Sequence, residues 1–126
     1  MDKQVQPYSR QKMRKLIKNI EHSTVLNLVD QIRYLDGQIA SKTLCQNDSL
    51  SLTLFAFEKG EEISSHSSTG DALIQVLDGV GRISISDKQY DLEKGQSIIM
   101  PAQIPHAVYA LERFKMLLLV SFPRTE

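Results

Sequence analysis

The sequence predicts an all-β fold, a barrel or sandwich of short antiparallel strands, on three observations. Apolar and polar side chains alternate with a period of two through much of the chain. Turn-forming pairs interrupt these runs at short intervals. No segment beyond residue 22 has the length and 3.6-residue period of a helix able to link parallel strands. A chain of 126 residues is an ordinary length for one such domain and can bury a core without disulfides or metals to staple it.

The first 22 residues stand apart. They carry Lys3, Arg10, Lys12, Arg14, Lys15 and Lys18 against only Asp2 and Glu21. Met13, Leu16, Ile17 and Ile20 recur at i, i+3, i+4 and i+7, the spacing of one helical face. Pro7 and Ser9 can start a helix, although Lys12 stands where a capping box takes Glu or Gln. The expectation is an N-terminal arm or short amphipathic helix over 1–22, packed on its own barrel or on a partner subunit, followed by a β-barrel domain over 23–126.

Beyond residue 22 the period becomes two. In Ser49 to Phe57, Leu50, Leu52, Leu54 and Ala56 alternate with Ser49, Ser51 and Thr53, and Phe55 and Phe57 break the pattern late. That predicts a half-buried strand. In Arg82 to Ser86, Ile83 and Ile85 are expected to face inward and Ser84 and Ser86 outward. Ala72 to Leu77 and Lys115 to Phe122 are apolar on both faces, so each needs cover on two sides. The predicted turns are Asp36-Gly37, Asn47-Asp48, Lys59-Gly60, Thr69-Gly70, Asp78-Gly79, Ser86-Asp87, Lys94-Gly95 and Pro101 to Pro105.

Charge and composition narrow the partners. Fifteen basic and fifteen acidic side chains cancel, so no global field recruits nucleic acid or an anionic membrane. A small-molecule ligand suits that balance better. The single Cys45 excludes an internal disulfide and reads as a buried, inert thiol. No apolar run approaches the ~20 residues of a membrane span, and Met1 to Ile20 lacks the continuous apolar stretch of a signal peptide. A cytoplasmic location is expected.

Two stretches carry a family resemblance. Gly60-Glu-Glu-Ile-Ser-Ser-His66, followed by Gly70-Asp-Ala-Leu-Ile-Gln-Val-Leu-Asp-Gly79, resembles the first cupin motif, in which G and five residues precede H-x-H, E and G. Gly95-Gln-Ser-Ile-Ile-Met-Pro101-Ala-Gln-Ile-Pro105-His106 resembles the second, G, five residues, P-x-G-x-x-H-x-x-x-N. With their flanking strands they cover about Ser23 to Phe122. The resemblance implies a cupin, the RmlC-like jelly roll or double-stranded β-helix, with one cavity holding His66 and His106. Apart from the family, Gly60, Gly79 and Gly95 fall where strands are expected to reverse, and Pro101 and Pro105 stiffen the approach to His106.

In metal-binding cupins, two histidines and a glutamate of the first motif join the histidine of the second around a divalent ion. Here Ser68 stands at the second histidine, Ala72 at the glutamate and Ala110 at the closing Asn. The metal ligands expected are therefore His66 and His106 alone, a modest site for Zn, Ni, Mn or Fe. Asp71 and Gln75 could lend oxygen only if a bulge at Gly70 turns them inward, because Ala72, Ile74 and Val76 take the cavity face. Otherwise Asp71 serves backbone N–H groups of its turn. His22 lies outside the motifs and reads as a surface residue, while Tyr109 is left open between pocket and packing. Metal-assisted chemistry, metal-free proton transfer by a histidine, and non-catalytic ligand sensing all remain compatible with this pattern. The apolar run Met116-Leu117-Leu118-Leu119-Val120 further predicts a homodimer, a pairing that the resemblance also implies.

Overall fold

The computed structural model describes residues 15–124. Seven strands form in chain order: β1 (Ile39–Gln46), β2 (Leu50–Phe57), β3 (Glu62–His66), β4 (Asp71–Ile85), β5 (Lys88–Glu93), β6 (Ser97–Met100) and β7 (His106–Ser121). All neighbouring strands are antiparallel, in the path β1-β2-β7-β4-β5, with β3 also on β7 and β6 also on β4. The two long strands run together through the middle of the molecule. At one end they continue into β2 and β6, at the other into β3 and β5, giving the two sheets of a jelly-roll barrel.

One expected turn is not a reversal. The strands read as Ala72 to Leu77 and Arg82 to Ser86 are halves of β4, and Asp78-Gly79 lies within it. The pairing of β4 with β7 slips between Val76 and Asp78 and again between Gly79 and Gly81. Gly79 adopts φ +76, and a Cβ there would overlap the Arg113 carbonyl. Glycine thus supports a bulge that bends a continuous strand from one sheet into the other. The slips also shift the parity, so Ala72, Ile74 and Val76 face inward before the bend and Ile83 and Ile85 after it.

Each face of the central strands carries an apolar cluster over part of its length, which answers the two-sided apolar runs in part. The inner cluster includes Phe57, Ile74, Val76, Ile83, Phe114 and Met116, with the Phe57 and Phe114 rings stacked 4.6 Å apart. The outer cluster is built on Leu44, Leu54, Ala56 and Ile32, flanked by Leu117, Leu77, Leu28, Tyr34 and Ile20. The alternating leucines of β2 therefore point away from the cavity, under the segment leading into β1. Phe55 and Phe57, which break the alternation, belong to the inner side.

That covering segment is not the expected helix. Among the described residues, 15–22 form bends rather than helical turns, and the part of the expected helix over 1–14, including Met13, lies outside the described residues. Asn19 has φ 64, outside helical conformation. The Lys18 N–H donates to Leu44 O at 2.7 Å and the Asn19 side-chain amide donates to Thr43 O at 2.7 Å. These bonds to β1 replace helical ones, at the place where β1 bulges between Thr43 and Cys45. Leu16 and Ile17 are exposed and only Ile20 joins the outer cluster, so the helical face does not assemble. Further on, a single 3-10 turn (Leu28–Gln31) presents Leu28 to that cluster. The Tyr34 hydroxyl donates to Asp78 at 2.6 Å, and Lys115 Nζ donates to Val29 O at 2.7 Å. Among the described residues no helix is long and apolar enough to cross a membrane.

Candidate functional site

The inner cluster does not fill the barrel. A cavity of about 350 Å³ remains toward one end, walled by Phe55, Ile63, Ala72, Ile74, Met100, Val108, Met116, Leu118 and Val120. Its polar lining is confined to His66, Ser67, Ser68 and His106. Among the described residues that line it there is no Asp, Glu, Lys or Arg.

His106 opens β7 on the inward parity of Val108 and Ala110, and it is 4% exposed. His66 ends β3, where plain alternation would send it outward, because Ile63 already points in. The pairing instead slips: Ile63 faces Val108 and His66 faces His106, so three residues of β3 span two of β7. This bulge turns His66 back to the face of Ile63 and brings it across from His106.

The rings meet edge to face, with centroids 4.4 Å apart and the two Nε2 atoms 3.2 Å apart. Each Nδ1 lies near the carbonyl two residues earlier, His66 at 3.0 Å from Ser64 O and His106 at 3.2 Å from Ile104 O. A carbonyl can only accept, so the tautomer that suits these two contacts carries its hydrogen on Nδ1 and leaves the Nε2 atoms facing one another. Burial holds the His106 pKa below the ordinary imidazole value and the neighbouring His66 adds to this, while the bond to Ile104 works in the opposite direction. His106 is thus held in the form able to accept a proton or an ion.

The remaining sequence-predicted residues fall elsewhere. Ala72 lies on the cavity wall and gives no ligand. Ser68 lines the cavity, but its hydroxyl oxygen accepts from Gly70 N–H at 3.1 Å. Asp71 faces outward and accepts from Ala102 N–H at 2.7 Å, tying the start of β4 to the loop before His106. Ala110 is buried beyond the cavity, its backbone paired with Gly60 and Glu61. Tyr109 turns outward into a surface groove beside Glu62 and Arg82. His22 is exposed, with its Nε2 2.6 Å from Ile17 O, and Cys45 is a buried free thiol. Sequence reasoning missed Gln103, which stands at the motif's second glycine, adopts φ 68 and donates its N–H to Ser68 O at 2.8 Å. The motif spacing was a sufficient signal for it.

The matched family model, described as a cupin domain, covers residues 53–122. The chain belongs to the cupin superfamily. Among solved structures this cupin is similar to a conserved protein of unknown function from Streptococcus pyogenes, at 45% identity over 89% of this chain and 98% of that one, with a TM-score of 0.86. A cupin superfamily protein from Desulfitobacterium hafniense is 32% identical over 85% and 98% of the two chains, TM-score 0.81. A cupin 2 conserved barrel domain protein from Leptotrichia buccalis is 42% identical over 76% of this chain and 47% of its own, TM-score 0.74. No curated protein matches.

The donor set can be tested against a divalent ion. Two nitrogens 3.2 Å apart, each about 2.05 Å from one ion, subtend about 100° at it, between the octahedral and tetrahedral angles. Their separation lets both nitrogens reach one ion, and the two histidines are the only imidazole or carboxylate side chains among the described residues that line the cavity. Among the described residues no cluster of three or more His, Cys, Asp or Glu side chains is placed to hold a metal ion.

Proposed function

We propose that this cupin binds a compact small molecule in its barrel cavity, with a divalent ion held by His66 and His106 at the polar end. The supporting observation is the approach of the two Nε2 atoms to 3.2 Å, with the Nδ1 of each ring close to a backbone carbonyl that can orient it. Such an ion, when bound, supplies Lewis acidity toward an oxygen of the ligand. The chain's own residues orient the two imidazoles and surround the ligand's body with apolar wall. Isothermal titration with Zn, Ni, Mn and Fe(II) tests this reading. Modest affinity is expected for the wild type and none for His66→Ala or His106→Ala, and binding should weaken below about pH 6 as protons compete for the rings. Retention of the metal by either single variant would overturn the assignment.

A second reading draws on the same distance. Without metal, a proton taken up by one ring gives it an Nε2–H that can donate to the other ring's Nε2 across 3.2 Å, and the pair can relay that proton to or from the ligand. It is favoured if no metal binds while a small organic ligand still raises the melting temperature.

We also propose a homodimer. On the outer face, Ile99 pairs with Leu73, Leu73 with Leu119 and Leu119 with Leu52, an apolar row across four strands. Leu73 and Leu119 are half-buried and stand outside the outer cluster, and Ile99 is 57% exposed. The row suits a second copy of the same apolar face. Light scattering at micromolar concentration should return about twice 14.3 kDa, and Leu119→Glu should halve it. A monomeric wild type would end the proposal.

A further inference from the structure

The outer face of the sheet that contains β3 and β5 carries a groove separate from the cavity. Across β3, β7, β4 and β5 the register sets Glu62 opposite Tyr109, Tyr109 opposite Arg82 and Arg82 opposite Asp91, a row of long polar side chains. The next outward row is short. Ser84 stands between Ala107 and Gln89, and Ser64 and Ser65 share the bulge position opposite Ala107. Side chains on one sheet face stand side by side, so a short row beside a tall one leaves a trench. It lies on the opposite side of the strands from Ile63 and Ile83 and holds about 480 Å³.

The lining selects a chemistry. Its serine hydroxyls, the Gln89 amide and the Tyr109 phenol both donate and accept, Glu62 accepts and Arg82 donates. Two bonds to Asp91, Nε to Oδ1 at 2.8 Å and Nη2 to Oδ2 at 3.1 Å, hold the Arg82 guanidinium in place and leave its other N–H groups for a ligand. The Arg82 charge stands against those of Glu62 and Asp91, a balance that disfavours an anion. Tyr109 is 38% exposed and offers ring surface between the acceptor Glu62 and the donor Arg82. A matching molecule carries neighbouring hydroxyls that both donate and accept, a C–H face for the ring, and no negative charge. From this we infer that the groove binds a non-acidic saccharide of one or two rings. At about 30 Å³ per water-sized group, 480 Å³ holds about sixteen non-hydrogen atoms, enough for one hexose with part of a second. The site stands whether or not the cavity takes a ligand.

The test is a chemical-shift titration of the full chain with glucose, maltose, cellobiose, N-acetylglucosamine, glucosamine and glucuronate, with a glycan array to widen the panel. At least one neutral or amino sugar should bind with millimolar or tighter affinity and shift the amides of Ser64, Arg82, Ser84, Gln89 and Tyr109. The matched uronate should bind about tenfold more weakly. Tyr109→Ala should weaken binding about tenfold and Gln89→Ala about fivefold, while Tyr109→Phe keeps most of the affinity. Ser84→Gln, which raises the floor of the groove, should abolish binding and carries the test if Tyr109→Ala melts below the wild type. His66→Ala should bind the sugar as the wild type does. The inference is overturned if no sugar in the panel or the array shifts these amides, if the uronate binds as tightly as its neutral counterpart, or if Gln89→Ala and Ser84→Gln bind as well as the wild type. Shifts confined to cavity residues such as Ile74 and Met116 would also overturn it, and would speak for the cavity reading instead.

Discussion

The two faces of the sheet formed by β2, β4 and β7 are built from similar aliphatic side chains yet end in opposite states. On the outer face, Leu54, Leu77 and Leu117 are sealed by the chain's own Ile20, Leu28, Ile32 and Tyr34. On the inner face, Ile74, Met116, Leu118 and Val120 border a cavity that the chain leaves open. The hydrophobic effect stabilises the filled face and gains nothing from unfilled volume. An apolar space left beside two imidazoles is the contrast on which the proposed ligand site rests.

Truncation should separate the faces most sharply. Leu54 is fully buried in the outer cluster, so Leu54→Ala should cost about 2–5 kcal/mol in chemical denaturation. Leu118 borders existing space, and Leu118→Ala should cost about 1 kcal/mol while changing ligand affinity. Equal losses would mean that the cavity is closed in solution and the contrast false.

A smaller effect tests what holds the outer cover down. Tyr34 donates to Asp78 and lies beneath the Arg113 and Lys115 cations, 4.8 and 5.0 Å from its ring centroid. Burial and Asp78 together raise the phenol's pKa well above its ordinary value. Tyr34→Phe keeps the ring and removes the bond, and should cost about 1 kcal/mol by denaturant titration. Ligand affinity in the cavity should stay unchanged. A loss of affinity would show that the outer cover supports the inner wall.

The smallest expected effect comes from acid. The folded-state pKa of His106 lies below its ordinary value, chiefly through burial. The unfolded chain therefore takes up the proton first as pH falls. Stability contributed by neutral His106 is present above the ordinary value of 6.5, declines as pH drops below it and levels off below the folded-state value. Melting curves in chelator between pH 7.5 and 5 should show this fall, and His106→Gln should flatten it. An unchanged slope in that variant would assign the acid sensitivity to another group.

Much of this architecture was legible in the chain because period-two alternation and turn chemistry are local. Ile83 and Ile85 were placed inward and Asp71 outward by alternation alone, and the motif spacing picked out His66 and His106. What escaped depended on distant partners. Asp78-Gly79 has the composition of a turn, but pairing with β7 carries β4 through it as a bulge. The helical spacing of Leu16, Ile17 and Ile20 is outweighed by backbone bonds to β1, more than twenty residues away. The cavity itself is a difference of packed volumes, and no short window of sequence contains that quantity.

The extra residue in β3 frees the site from one fixed loop of sequence. Removing Ser64 or Ser65 would leave two steps between Ile63 and His66, equal to the two between Val108 and His106, so plain alternation would keep the ring on the inner face and only the bulge would disappear. The bulged and the regular strand thus present the same imidazole to the same partner from sequences that differ by one residue in length. Among relatives that retain both histidines, a one-residue gap after the Ile63 position is therefore compatible with an intact pair, and an alignment that refuses the gap would set the histidine against the wrong position.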